Sequence, residues 1–371
     1  MNTRISILMS VRDTERYLPE CLDSIVAQTY ADWELVAVNN DSSDRSKEIL
    51  TEYSQRDSRS RAHDTDRIGL IPALQTSYRH SRGDLVTRMD SDDIMPLDKL
   101  AVMYHTWQQH GKGIVVAGGT KYFMDGREVG DGFRRYERWL NQIAKDQTYY
   151  EEVYRECVIP SQCWLVHRDE FAAAGGFRSE MYPEDYDLCF RFYQQKLHVV
   201  GIDKVLNYCR DRPDRTSRND DNYQDNRFFD LKIRYFYELD RDFSRPLVLW
   251  GAGRKGKDLA KMLLKQENHF HWMCNNLRKI GKEIYGIYLE STEMVMKLDR
   301  PQILIVVTSP SVLPEIREQL DAWGKQKMRD FWIIAKNPAT TMSTKTTKHA
   351  NHALLSGLHC LCRFLFLVSP S

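Results

Sequence analysis

The chain has eight cysteines, Cys21, Cys157, Cys163, Cys189, Cys209, Cys274, Cys360 and Cys362, and no Cys-x-x-Cys pair. That spacing offers no zinc ribbon and no thioredoxin-like site, and 371 residues is too long for a disulfide-stapled miniprotein. Scattered reduced thiols in a cytosolic protein are expected. Charge of one sign is missing too. Lys and Arg number 53 against 52 Asp and Glu, so the net charge of +1 supplies no global field for nucleic acid or an anionic membrane. No apolar run in the first 350 residues is long enough to span a bilayer, and the opening Ile5–Met9 is too short for a signal peptide. There is no internal repeat. What remains is an ordinary soluble composition, 42% hydrophobic and 28% charged, long enough for two or three domains.

The densest chemistry is Asp90-Ser91-Asp92-Asp93, three carboxylates after the strand-like run 84–89. Acids packed at a strand end repel one another unless a cation or several donors compensate. Hard divalent cations take one or two carboxylates plus substrate phosphates, so a metal–diphosphate site is one reading. A solvated acidic turn before a helix near Pro96 is the other. An EF-hand is a poor fit, because Ile94 and Met95 stand where that loop needs other residues.

The surroundings favour the metal reading. Ile5–Met9 and Glu34–Val38 read as strands. Tyr17–Gln28, a segment from Ser43 or Asp44 to about Tyr53, Leu70–His80 and Pro96–His110 read as helices. This βαβ rhythm predicts an open, mostly parallel α/β sheet, whose ligands bind beyond the carboxyl ends of its strands. Ser10–Asp13, Asn39–Asp44 and Asp90–Asp93 all fall at such ends and would share a crevice. Later strands are expected over Gly113–Gly118, Cys163–His167 and Val205–Cys209, with no assignment for 125–154. At Pro246 the pattern restarts as a smaller α/β unit. The expected division is 1–215, a linker with a helix over 216–244, a second domain over 245–336, and a tail over 337–371.

Residues 1 to about 210 resemble a family 2 glycosyltransferase of the GT-A fold. The likeness runs through 6–13, 17–25, Gln28-Thr29-Tyr30, 33–36, Ser42-Ser43-Asp44 and Gly69-Leu70. Arg88-Met89-Asp90-Ser91-Asp92-Asp93-Ile94 matches the family's Asp-x-Asp segment. Gly175-Gly176-Phe177 with Glu184-Asp185-Tyr186-Asp187-Leu188 resembles its acceptor-side motif. The resemblance implies a nucleotide-sugar donor, a glycan or lipid-linked glycan acceptor, and inverting transfer assisted by Mn²⁺ or Mg²⁺, with a bacterial surface polysaccharide as the family-level expectation. It implies Asp92 and Asp93 for the metal, and Ser10, Asn40, Asp90 and Asp92 for the donor; Arg12 can stack on a base or belong to a plain polar loop, and Arg67 can reach a phosphate or be a surface arginine. Asp185 would be the base, with Glu184 beside it. A pair of acids at a helix N-terminus, favoured by the dipole, is the plain alternative for these two. The family commonly carries Asp-Asp-Gly-Ser where this chain has Asn39-Asn40-Asp41-Ser42. Asn40 both donates and accepts, and so suits the uracil of a UDP-linked donor. Trp139, Tyr149, Tyr150 and Trp164 can stack on an acceptor sugar or fill the core. His167 and His198 are isolated and read as structural.

The second domain carries Gly251-x-Gly253-x-x-Gly256 between a strand and a helix, a context suited to phosphate binding or to tight packing alone. The acid expected about 20 residues on is replaced by the stretch 271–276. Lys279–Lys282 and Ile284–Gly286 resemble Rossmann-like accessory domains of sugar-modifying enzymes. Two rival functions follow: a nicotinamide-dependent sugar oxidoreductase, disfavoured because no Tyr-x-x-x-Lys follows the loop, and a non-catalytic glycan-assembly protein. The tail is Thr/Lys-rich, then apolar over Leu354–Val368, interrupted by His359 and Arg363. It can lie on a membrane surface or hang as an unstructured end. A cytoplasmic protein, peripheral at the inner membrane face if the tail binds, is the expectation.

Overall fold

The computed structural model describes residues 3–177, 182–212, 227–267, 269–307, 309 and 311–335, which lie in one compact unit, Met1–Thr341. The tail beyond 335, including the apolar stretch considered for a membrane, lies outside the described residues.

A seven-stranded sheet forms the first half. Its strands are β1 (Ile5–Val11), β2 (Trp33–Asn39), β3 (Ser60–Asp64), β4 (Leu85–Arg88), β5 (Ile114–Phe123), β6 (Trp164–His167) and β7 (His198–Arg210). Their order is β3-β2-β1-β4-β6-β5-β7, with β6 antiparallel to both neighbours. The near-continuous apolar runs of β1 and β2 follow from helices covering both faces. Helix α1 (Leu18–Val26) buries Leu18, Cys21, Leu22 and Ile25 at helical spacing. Helices α2 (Ser46–Arg56), α3 (Leu70–His80) and α4 (Lys99–His110) complete the βαβ units.

The structure departs from the sequence expectations in four places. The unassigned stretch holds α5 (Asp131–Asp146), whose buried face of Phe133, Tyr136, Leu140, Ile143 and Ala144 is interleaved with charges on the other side. Strand β3, Ser-Arg-Ala-His-Asp, has no apolar run, and edge pairing from Leu35↔Ser60 to Asn39↔Asp64 holds it. Strands β5 and β7 outrun the expected segments because they pair along ten register positions, with irregularities around Gly119. His271–Met273, read as breaking the pattern, is a strand.

Past α6 (Arg168–Ala173) and α7 (Glu184–Gln194), helix α8 (Arg227–Tyr235) runs into the wider turn Phe236–Asp240. The second sheet holds β8 (Leu247–Trp250), β9 (His271–Met273), β10 (Glu283–Ile284), β11 (Ile287–Glu290), β12 (Gln302–Ile305) and β13 (Phe331–Ile333), in the order β10-β11-β9-β8-β12-β13. Helices α9 (Arg254–Gln266) and α10 (Val312–Ala322) cross over between parallel strands. One hydrophobic cluster runs from the first sheet to the second. Within it Phe236 packs edge-on against Trp332 at 5.1 Å, and Lys232 Nζ donates to the carbonyls of Arg155 and Ile334, both at 2.8 Å.

Candidate active site

Strand register decides which polar loops meet. Val11 pairs with Asn39, Asn39 with Asp64, and Leu8 with Arg88, so four strands end at one edge of the sheet. The loops there are cross-linked. Asp13, in the left-handed region at φ 50°, accepts from Ser43 N at 2.7 Å and from Ser43 Oγ at 3.1 Å. Asp44 accepts from Ser46 N and Glu15 N, both at 2.9 Å. Thr14 Oγ1 donates to Ser91 Oγ at 3.1 Å, tying the first loop to the acidic one. All three polar clusters therefore form one rim.

On that rim the donor-side residues differ in freedom. Asn40 is buried, and its Oδ1 accepts from Gly69 N at 2.8 Å, where Gly69 takes φ 140°. Ser10 is half-buried on β1. Arg12 is half-exposed, 3.9 Å from Asp13, and Arg67 is exposed between β3 and α3.

The acids of 90–93 divide into different roles. Asp90 is held by Arg88, with Nε at 3.0 Å and a terminal nitrogen at 2.8 Å. Asp92 Oδ2 pairs with Arg212 Nε at 2.8 Å. Asp93, expected as a metal ligand, faces β7. It is 1% exposed, its Oδ2 accepts from Asn207 Nδ2 and its Oδ1 from Arg210 N, each at 2.9 Å. Asp93 thus staples the acidic loop to β7. Beneath it Lys99 Nζ donates to Asn207 Oδ1 at 3.0 Å and to Gln162 O at 2.6 Å, and burial lowers this ammonium's pKa.

Arg88 joins the two carboxylate sites. Its side chain is 6% exposed and also donates to Glu184 Oε1 at 2.7 Å, a carboxylate only 5% exposed. Burial disfavours the guanidinium charge, but Asp90 and Glu184 outweigh it and hold Arg88 protonated. Glu184 and Asp185 open α7, whose N-terminal dipole favours anions. Even so, Asp185 has its carboxyl pushed up to about 7, because burial and the adjacent Glu184 overcome Arg88 and the hydrogen bond from Tyr186 N. A small, largely apolar pocket with Ile159, Trp164, Leu188 and Phe192 in its lining reaches Asp185. Further along α7, Arg191 donates to Asp187 at 2.9 Å and to Gly176 O at 2.7 Å, so the Gly175-Gly176 turn and the acid pair form one assembly.

Other expected residues fall outside this site. Trp139 stacks on Tyr136 at 5.8 Å and packs partly buried against the core, and Tyr149 is buried in it, whereas Trp164, stacked on Phe171 at 5.6 Å, is core and also lines the pocket at Asp185. Tyr150 packs partly buried against that core. His167 caps α6 by accepting from Asp169 N at 3.2 Å, and His198 is exposed at the start of β7. Sequence reasoning missed Arg88, Asn207, Arg210 and Lys99 as parts of the site. Arg88 had a signal: a cation inside a strand of Leu85, Val86 and Thr87 demands a buried acid as partner.

In the second sheet, a Cβ on Gly256 would lie 2.1 Å from Gly251 O, and Gly251 takes φ 129°. Trp272 Nε1 donates to Gly251 O at 2.9 Å and Lys279 Nζ to Ala252 O at 2.8 Å. Packing accounts for Gly251 and Gly256, while Gly253 has open space around it. Beyond the end of β9, Asn275 Oδ1 accepts from Trp250 Nε1 at 2.7 Å.

Among the described residues no group of three or more His, Cys, Asp or Glu is arranged to hold a metal alone. Asp90 and Asp92 do fit a Mg²⁺ or Mn²⁺ that takes most of its ligands from substrate phosphates and water.

This rim of strand-end polar loops facing a carboxylate-headed helix has the architecture of the GT-A fold. Residues 6–172 match the Glycosyl transferase family 2 model. Glycosyltransferase GlyA of Streptococcus pneumoniae is 32% identical over 41% of this chain and 22% of its own length. The Escherichia coli UDP-Glc:alpha-D-GlcNAc-diphosphoundecaprenol beta-1,3-glucosyltransferase WfgD is 33% identical over 26% of this chain and 38% of its own. The matches thus span well under two thirds of these relatives. The crystal structure of S. aureus TarS 1-349 in complex with UDP-GlcNAc superposes with a TM-score of 0.51 at 15% identity, covering 72% of this chain and 73% of that one. That likeness is one of fold.

Proposed function

We propose that the chain transfers a sugar from a UDP-linked donor to a hydroxyl of a glycan acceptor by a single inverting displacement. The observation that carries this reading is the Arg88 bridge, which ties the strand-end Asp90 to Glu184 at the head of α7, next to Asp185, whose carboxyl burial pushes up to about 7. In the reaction the acceptor oxygen forms its bond to the anomeric carbon as the bond to the diphosphate breaks. The acceptor proton passes to Asp185. Burial makes that carboxylate a stronger base than one in water, and it is ionised above about pH 7. Glu184 stays fixed on Arg88 and orients the head of α7. Asn40 Nδ2 and Ser10 face the nucleoside end, with Arg12 and Arg67 at its border. Asp92, with Asp90, would hold a Mn²⁺ or Mg²⁺, which supplies Lewis-acid stabilisation of the leaving diphosphate. The similarity to WfgD, a glucosyltransferase from UDP-Glc to a diphosphoundecaprenol-linked GlcNAc, supports a UDP-linked donor and a lipid-linked acceptor.

The test is donor hydrolysis and transfer across a panel of nucleotide sugars with Mn²⁺, with and without chelator. Turnover that needs the cation is expected. Absence of turnover, together with nucleotide binding indifferent to Asp92→Asn, would overturn the reading.

A further inference from the structure

We infer that the β9–β11 side of the second sheet is a docking surface for an anionic lipid bilayer. The chain as a whole is nearly neutral, yet residues 254–288 hold eight Lys or Arg against three Asp or Glu. The fold gathers those cations. Lys279 Nζ on Ala252 O fastens the turn after β9 to the loop that opens α9. Lys261 of α9 lies 5.2 Å above the Tyr285 ring in the β10–β11 turn. None of the eight cations lies within ion-pair distance of a carboxylate among the described residues. Of the three acids Glu267 is already bound by Arg241, at 2.7 Å.

Apolar groups stand among these charges. Leu277 is 84% exposed beside Arg278, Tyr285 is 43% exposed beneath Lys261, and Tyr288, 62% exposed, pairs across the hairpin with Glu283. A solvated basic face has no use for a nearly naked leucine. A nucleic acid would reward the cations but not Leu277. A bilayer rewards both, since cations meet anionic headgroups while leucine and tyrosine enter the interfacial zone. This surface is distinct from the apolar tail and makes no demand on the transfer chemistry.

The experiment is co-sedimentation of the full chain with vesicles of phosphatidylcholine alone or with 30 mol% phosphatidylglycerol as the probe composition. Binding is expected only to the anionic vesicles, weakening at high salt. The triple variant Lys261→Glu, Arg278→Glu, Lys282→Glu should bind at least about 100-fold more weakly, since each juxtamembrane cation contributes about a factor of five. Leu277→Ser should weaken binding with the charges intact, and a heparin column should retain this variant as it does the wild type. All variants should keep wild-type donor hydrolysis, which checks their folding. Wild-type sedimentation of the triple variant would overturn the inference and leave the tail as the anchor. Heparin retention without vesicle binding would overturn it in favour of an acidic polymer.

Discussion

Replacing Asp185 with Asn should abolish transfer and at the same time stabilise the protein, by an amount that grows with pH. In the fold this carboxyl keeps its proton until about pH 7, against 3.8 for an ordinary aspartate. Its folded pKa is raised, so between those values the folded state binds a proton that the unfolded chain has released. Stability attributable to the group therefore falls as pH rises through the window and levels off above about pH 7. Asparagine has no such dependence. From pH 5 to pH 8 the active part of the window is about two pH units, each worth about 1.4 kcal/mol, which sets a ceiling of about 3 kcal/mol. Partial solvent contact and the neighbouring Glu184 reduce this to about 1.5–3 kcal/mol. Urea denaturation of wild type and variant at both pH values measures it. A variant whose advantage is the same at pH 5 and pH 8 would refute the desolvated-base argument. So would a wild-type rate that does not rise as pH passes through about 7.

Arg88→Met leaves Glu184 buried without its cation, and urea denaturation should show a loss of about 3–5 kcal/mol. Asp92→Asn should weaken nucleotide binding in Mn²⁺ by about tenfold or more while leaving it unchanged in chelator, as read by calorimetry. Gly256→Ala drives a methyl into Gly251 O and should cost about 3 kcal/mol or more in chemical denaturation, whereas Gly253→Ala, in open space, should stay within about 0.5 kcal/mol. Equal effects at the two glycines would remove the packing explanation for the loop.

Where a segment's own pattern matched its burial, the sequence was a reliable guide. Helix α1 and strands β1, β2 and β8 carry apolar spacing that admits one reading, and the acidic loop stood out because three carboxylates rarely crowd together without a partner. Strand β3 was hidden because its residues are polar and only its neighbour β2 holds it extended. Helix α5 was hidden by the charges between its apolar positions. The partners of Asp93 were not legible because adjacency in sequence says nothing of which way a carboxylate faces. Its partners come from residues 207 and 210, more than a hundred positions away.

By itself the sequence determined the α/β rhythm, the strand ends where chemistry can sit, and the two carboxylate motifs, because each of these is written in local spacing. Only the tertiary structure decided how the acids are divided. Parallel pairing of β1 with β2 and β4 brings the loops to one edge. Burial then requires every charge there to find a partner, so Asp93 turns to β7, Asp90 and Glu184 share Arg88, and Asp185, left with burial and a like charge beside it, holds its proton to about pH 7.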